Sequence, residues 1–321
     1  MASSTTGLSA AAKAAWAAAM SFSRLRRASR RPAGRTVSRV GYGAMQLQRL
    51  HGDRRAAVAL LRQAIDLGVD HVDTAQFYGD GFVNDVIREA LRPQDDVLVV
   101  SKVGAASDPG GPAPLRLAQR PEELRAGVEE NLATLQLERI PVVNLRRVDA
   151  GLTIPVPDDQ VVDLDDQLAE LIALRSEGKI GAIGLSSVAL DGLRRALPAG
   201  IVCVQNAYSL VTRDDEDMLQ LCADEQIAWV PYFPLGGALA GLPKVTDEPA
   251  VLTAAQSLGC TPAQVGLAWL LHRAPHVLLI PGTADASHLE ANLAAGAITL
   301  DEETLAALDT VPTRSFAAPH H

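Results

Sequence analysis

Cysteine is scarce in this chain of 321 residues. The three present, Cys203, Cys222 and Cys260, are odd in number and show no Cys-x-x-Cys spacing. That argues against a disulfide framework or a structural zinc site and points to a reducing, cytoplasmic compartment. Long hydrophobic runs are missing too. The most apolar stretch, residues 8–20, is mostly alanine, is broken by Lys13 and is too short to span a bilayer, so no membrane partner is expected. Residues 1–52 hold nine Lys and Arg but no carboxylate, the first being Asp53. The rest of the chain carries 20 basic against 38 acidic residues. An acidic body binds nucleic acid poorly, because phosphate contact needs clustered cations. Aromatics make up only 4% of the chain, and the basic run 23–35 has no interleaved stacking side chains. Residues 1–36 are expected to be a disordered extension, although their Ala, Ser and Arg bias also suits an organelle transit peptide. The tail, 313–321, is short.

Glycine-rich nucleotide fingerprints are absent as well. The first predicted strand ends Gly41-Tyr42-Gly43-Ala44-Met45-Gln46, without the third glycine of G-x-G-x-x-G, and there is no P-loop. What is present, from residue 37 to 312, is an alternation. Short β-branched runs at 39–44, 71–74, 97–103, 141–148, 180–185, 201–206, 227–232 and 277–280 read as strands. Amphipathic stretches at 53–67, 82–91, 121–137, 164–177, 214–225 and 261–273 read as helices. Leu124, Val128, Leu132 and Leu135 form one apolar stripe, and Pro121 followed by Glu122 and Glu123 suits a helix start. Eight strands with helices between them predict an α/β fold, a (β/α)₈ TIM barrel, with a doubly wound sheet as the alternative.

In such a barrel the chemistry belongs at the C-terminal ends of the strands. Those ends read Asp73, Lys102, Arg146, Ser186, Gln205, Tyr232 and Pro281-Gly282, with Tyr78 just past the second strand. Asp73, Tyr78 and Lys102 suggest a proton relay. An ammonium beside a phenol lowers its pKa, and a carboxylate keeps that ammonium charged. The competing reading is a structural ion pair beside a packed tyrosine.

Asp73-Thr74-Ala75-Gln76-Phe77-Tyr78-Gly79, Ser101-Lys102-Val103-Gly104, "GKIGAIGLSS" (178–187), "VQNAYS" (204–209) and "LIPGTADASHLEANL" (279–293) together resemble the aldo-keto reductase superfamily. The resemblance implies a barrel that transfers hydride from NADPH, with NADH not excluded, to a small carbonyl substrate. It implies Tyr78 as general acid, Lys102 as its modulator and Asp73 as the partner of that lysine. Ser186 and Gln205 would hold the nicotinamide carboxamide and Tyr232 would stack on the ring. Leu235 and Gly236 would approach the pyrophosphate, Gly282 would also meet the cofactor, and Thr283, His288 and Asn292 would lie toward the adenosine end. A monomer or weak oligomer is expected.

Three places depart from that pattern. Arg146 stands where the family carries a catalytic histidine. Ser187 replaces an asparagine after the fifth strand. His288 and Ala291 replace an arginine and a glutamate at the adenosine end. "VSRVGYGAMQL", "VVNLR" and "YFPLGG" are similar to a bacterial, pyridoxal reductase-like branch in which arginine also sits on the fourth strand. Two other readings stay open: a Schiff-base lyase acting through Lys102, and a nucleotide-binding barrel without catalysis.

Overall fold

The structure, a computed structural model, describes residues 35–111, 114–151, 155–237 and 242–315. All but the last two residues of the expected N-terminal extension, and the tail from 316 onward, lie outside the described residues. In chain order the strands are β1 (Tyr42–Gly43), β2 (His71–Asp73), β3 (Leu98–Val103), β4 (Ala105–Ser107), β5 (Leu115–Leu117), β6 (Ile140–Arg146), β7 (Ile180–Ser186), β8 (Ile201–Gln205) and β9 (Ala228–Trp229). Seven of them form one curled parallel sheet in the order β1-β2-β3-β6-β7-β8-β9, while β4 and β5 pair as an antiparallel hairpin. The helices used below are α1 (Arg54–Asp66), α2 (Phe82–Ala90), α3 (Pro121–Leu135), α4 (Leu164–Ser176), α5 (Leu190–Ala196), α6 (Glu216–Asp224), α7 (Pro249–Leu258), α8 (Pro262–Arg273) and α9 (Ala286–Ala294).

The predicted starts and stops have visible causes. Asp53 caps α1 by accepting from the Ala56 amide, and Thr261 with Gln264 closes a capping box on α8. Gly68 and Gly178 end α1 and α4 at φ of 99° and 82°, where a side chain would be strained. The hairpin β4–β5 was not foreseen, since both of its strands are short and half-polar.

The expected eighth strand, 277–280, is not a strand of the sheet. Val277 bridges Trp229 at one sheet edge and Leu279 bridges Val40 at the other, both in parallel. Pro275 and Pro281 bracket this segment and supply no N–H to lengthen either ladder. Hydrogen bonds still run to both edges: the Leu278 amide donates to the Trp229 carbonyl at 2.8 Å, and the Gly41 amide to the Leu279 carbonyl at 2.8 Å. The Arg39 guanidinium donates to the carbonyls of Leu271, Ala274 and Val277 across the same seam.

Strand period decides which residues reach the site. Leu98, Val100, Val142, Ala182, Cys203, Ala228, Val230 and Leu278 pack together as one apolar cluster. Their same-face successors at the strand ends are Lys102, Arg146, Ser186, Gln205 and Tyr232. The alternate residues, Val143, Leu145, Ile183, Leu185 and Val204, pack outward with Leu124, Val128, Leu168 and Leu171 of the helices. Each such fully buried side chain contributes roughly 1.5–3 kcal/mol to stability. At Gly184 an added methyl would collide with the Asn144 amide, so the inward row narrows there because no side chain fits.

Candidate active site

Tyr78 reaches the mouth on a tight loop after β2. The Tyr78 amide donates to the Ala75 carbonyl and the Gly81 amide to the Gln76 carbonyl. Gly79, Asp80 and Gly81 follow in the left-handed region, at φ of 60°, 52° and 84°. Two glycines and an aspartate are the residues that tolerate such a turn. Behind the loop the Thr74 hydroxyl donates to Asn84 Oδ1 at 2.9 Å, and Asn84 Nδ2 donates to Asn131 Oδ1 at 3.0 Å. The Ser101 hydroxyl also donates to Asn131 Oδ1, at 2.6 Å. This buried amide relay ties the tyrosine loop to β3 and α3. Sequence reasoning passed over it. The available signal was Asn131 itself, a polar residue on the face of α3 that also buries Leu124, Val128 and Leu135.

The expected pairing of Lys102 with Asp73 is present. The Lys102 ammonium hydrogen-bonds Asp73 Oδ1, and it donates to the Thr74 carbonyl at 3.2 Å. Gln205 Nε2 donates to the other Asp73 oxygen at 2.7 Å. Both Lys102 and Asp73 are buried. Burial pulls the Lys102 pKa down, but the Asp73 carboxylate and the Tyr78 phenol outweigh it and leave the amine above its ordinary value. The ammonium stands 5.3 Å from the centre of the Tyr78 ring.

For Tyr78 the structure reverses the expected sign. Burial raises the phenol, Lys102 pulls it down, Asp73 pushes it up again, and the net position is above the ordinary value. Depth of burial is not written in the residue spacing, so the ammonium alone looked decisive. The result is a phenol held in its protonated form.

Arg146, Ser186 and Gln205 pair successively across β6, β7 and β8 and so lie level at the mouth. Asn144 faces inward, where its Oδ1 accepts from the Cys203 thiol at 3.1 Å, and Arg146 follows on the same face. Its neighbour Arg147 points outward to Asp149, Gln167 and the Val162 carbonyl. The carbonyl of Arg146 is fixed by Gln119 Nε2 at 2.9 Å, and the same amide group holds the Gly104 carbonyl at 2.5 Å. Gln119 thus braces the ends of the strands that carry Lys102 and Arg146. Ser187, at φ 53°, sets its hydroxyl 3.1 Å from the Tyr232 phenol oxygen.

The remaining expected residues gather on other elements. Leu235 and Gly236 lie in the loop after Tyr232, where Gly236 and Gly237 are left-handed at φ of 66° and 64°. Gly282 packs against Gly43 so closely that a methyl would meet the Gly43 carbonyl. Buried Thr283 takes the Asp285 amide on its hydroxyl at 3.0 Å, and its carbonyl accepts from the Tyr42 phenol. His288 is exposed on the first turn of α9, with half-buried Asn292 one turn further on. Asp285 caps that helix by accepting from the Ser287 and His288 amides. Among the described residues no three His, Cys, Asp or Glu side chains converge as a metal site, and no helix is long and apolar enough to cross a membrane.

A search of protein families matches residues 39–312 to the aldo/keto reductase family. This chain belongs to that family. Pyridoxine 4-dehydrogenase of Escherichia coli (strain K12) is 41% identical over 284 residues, covering 86% of this chain and 96% of that protein. An uncharacterised oxidoreductase of Schizosaccharomyces pombe is 33% identical over 285 residues, 85% and 86% of the two chains. Among solved structures, an aldo-keto reductase from Klebsiella pneumoniae in complex with NADPH aligns with a TM-score of 0.70 at 28% identity, covering 85% of this chain and 90% of that one.

Proposed function

We propose that this protein reduces an aldehyde or ketone of the pyridoxal type to its alcohol, using a reduced nicotinamide nucleotide, with Tyr78 as the general acid. The observation that carries the reading is the buried pair in which Asp73 holds Lys102 charged beside a half-buried, protonated Tyr78. The family membership and the 41% identity to a pyridoxine dehydrogenase support it. In the same reading the barrel occupies residues 37–312, and 277–280 serve as its eighth stave.

A nicotinamide suits the residues present. Gln205 Oε1 is buried without a partner while its Nε2 is taken by Asp73, which leaves an acceptor free for a carboxamide N–H. Ser186 and Gln205 would hold that carboxamide, Tyr232 would lie against the ring, and Leu235, Gly236 and Gly282 would let backbone approach the phosphates. Thr283, His288 and Asn292 would meet the adenosine end. When bound, the reduced nucleotide supplies the hydride. Tyr78 donates its proton to the carbonyl oxygen as negative charge develops there, Lys102 steadies the phenol, and Arg146 takes the orienting place of the usual histidine. A Schiff-base mechanism would need a neutral amine at Lys102, which Asp73 opposes.

The test is loss of NADPH absorbance against pyridoxal, aromatic aldehydes and small ketones. Turnover of pyridoxal-type aldehydes is expected. Nucleotide binding with no turnover of any carbonyl would overturn the reading in favour of a binding barrel without catalysis.

A further inference from the structure

Arg146 is half-buried at the mouth, and among the described residues its guanidinium makes no hydrogen bond and no ion pair. Arg147, one residue on, has partners for its charge in Asp149, Gln167 and the Val162 carbonyl. Arg146 has none. Asp73 gives it no relief, because both of its oxygens are committed, one to Lys102 and one to Gln205. Lys102 and Asp73 cancel each other's charge, so among the described residues nothing offsets the positive charge of Arg146. The groups facing it, the phenols of Tyr78 and Tyr232, both feel that charge.

A guanidinium is permanently charged and offers five N–H donors in a planar fork. A single neutral carbonyl oxygen satisfies one or two of those donors and none of the charge. Two oxygens side by side, one of them ionised, match the fork as a carboxylate does. We propose that Arg146 is the receptor for an ionised oxygen carried by the substrate next to its carbonyl, in the form of a phenolate ortho to an aryl aldehyde. The substrate class is then ortho-hydroxy aryl aldehydes, preferred over neutral aldehydes of the same shape. The proposal rests on the reductase reading above. The phenolate is unchanged in the reaction: hydride adds to the carbonyl carbon, the Tyr78 proton goes to the carbonyl oxygen, and Arg146 orients that carbonyl by holding the adjacent anion.

The experiment compares nitrosalicylaldehyde, ionised at neutral pH, with its methyl ether, which cannot ionise. Each is assayed with the wild type, Arg146→Gln and Arg146→Lys, all shown to unfold cooperatively. Comparing the ratio of kcat/KM for the two aldehydes between proteins cancels their intrinsic reactivity. That ratio should fall about ten- to a hundredfold in Arg146→Gln and be largely retained in Arg146→Lys. Calorimetric binding of nitrophenolate, which has no carbonyl, to the enzyme with NADP⁺ should weaken by a similar factor in Arg146→Gln. Equal ratios in the wild type and Arg146→Gln, with nitrophenolate binding untouched, would overturn the proposal while leaving the reductase reading intact. No turnover of either aldehyde, with nitrophenolate binding still dependent on Arg146, would overturn the reductase reading and support the anion receptor.

Discussion

Tyr78 shows how far a single residue can be read from sequence. Its place after β2 and its grouping with Asp73 and Lys102 were legible from strand-end positions alone. The sign of its pKa shift was not, because burial outweighs the ammonium and burial depends on the whole mouth. The consequence can be measured. The acid that reduction needs is the neutral phenol, and a raised pKa keeps it neutral through the physiological range. The kcat for reduction should therefore stay flat from about pH 6 to 9 and decline only beyond the ordinary phenol value of roughly 10. Alcohol oxidation needs the phenolate and should rise with pH over the same interval. Paired pH profiles in both directions check this. A reduction rate that fell through neutrality would mean that Lys102 and Arg146 prevail over burial.

Elements were legible where local chemistry specifies them. The starts of α1, α3 and α8 follow from Asp53, Pro121 and Thr261-Pro262, and the longer central strands β3, β6 and β7 follow from nearly continuous apolar runs. The seam segments depend on neighbours that are remote in sequence. Helix α9 matters for the cofactor. Asp285 occupies its first amides and adds a negative charge beside His288, which opposes a phosphate at this helix start. The ordinary value of its carboxyl is lowered by the Ser287 hydroxyl and the His288 and Ser287 amides, so the charge persists at neutral pH. Asp285→Ser keeps a capping oxygen and removes the charge. It should raise the NADPH-to-NADH affinity ratio about three- to tenfold at low salt, read by fluorescence titration, with the gain shrinking as salt is added. An unchanged ratio would separate Asp285 from the phosphate.

At the scale of the whole molecule, the sheet depends on how its two edges meet. Sequence patterning gave residues 277–280 the character of a strand but could not show that prolines would limit them to bridges. Arg39 compensates by holding three carbonyls across the seam, at 3.2, 2.7 and 2.6 Å. Arg39→Met should keep the apolar stem and lose those bonds, lowering unfolding stability by about 2–4 kcal/mol in urea titration. A loss within error would assign closure to the backbone bonds of Leu278, Leu279 and Gly41 alone. The same closure sets the mouth, because Gly43 and Gly282 touch there and no side chain fits between them.

The central claim is that this mouth is a proton-donating site built on Tyr78. Steady-state reduction of the best aldehyde by Tyr78→Phe, with NADPH affinity measured on the same preparation, tests it most directly. The account predicts a kcat lower by about 10²–10⁴ and a nucleotide Kd within about twofold of the wild type, because the phenol acts on the carbonyl and leaves the nucleotide's own contacts in place. Turnover close to that of the wild type would contradict it and make Tyr78 a packing residue.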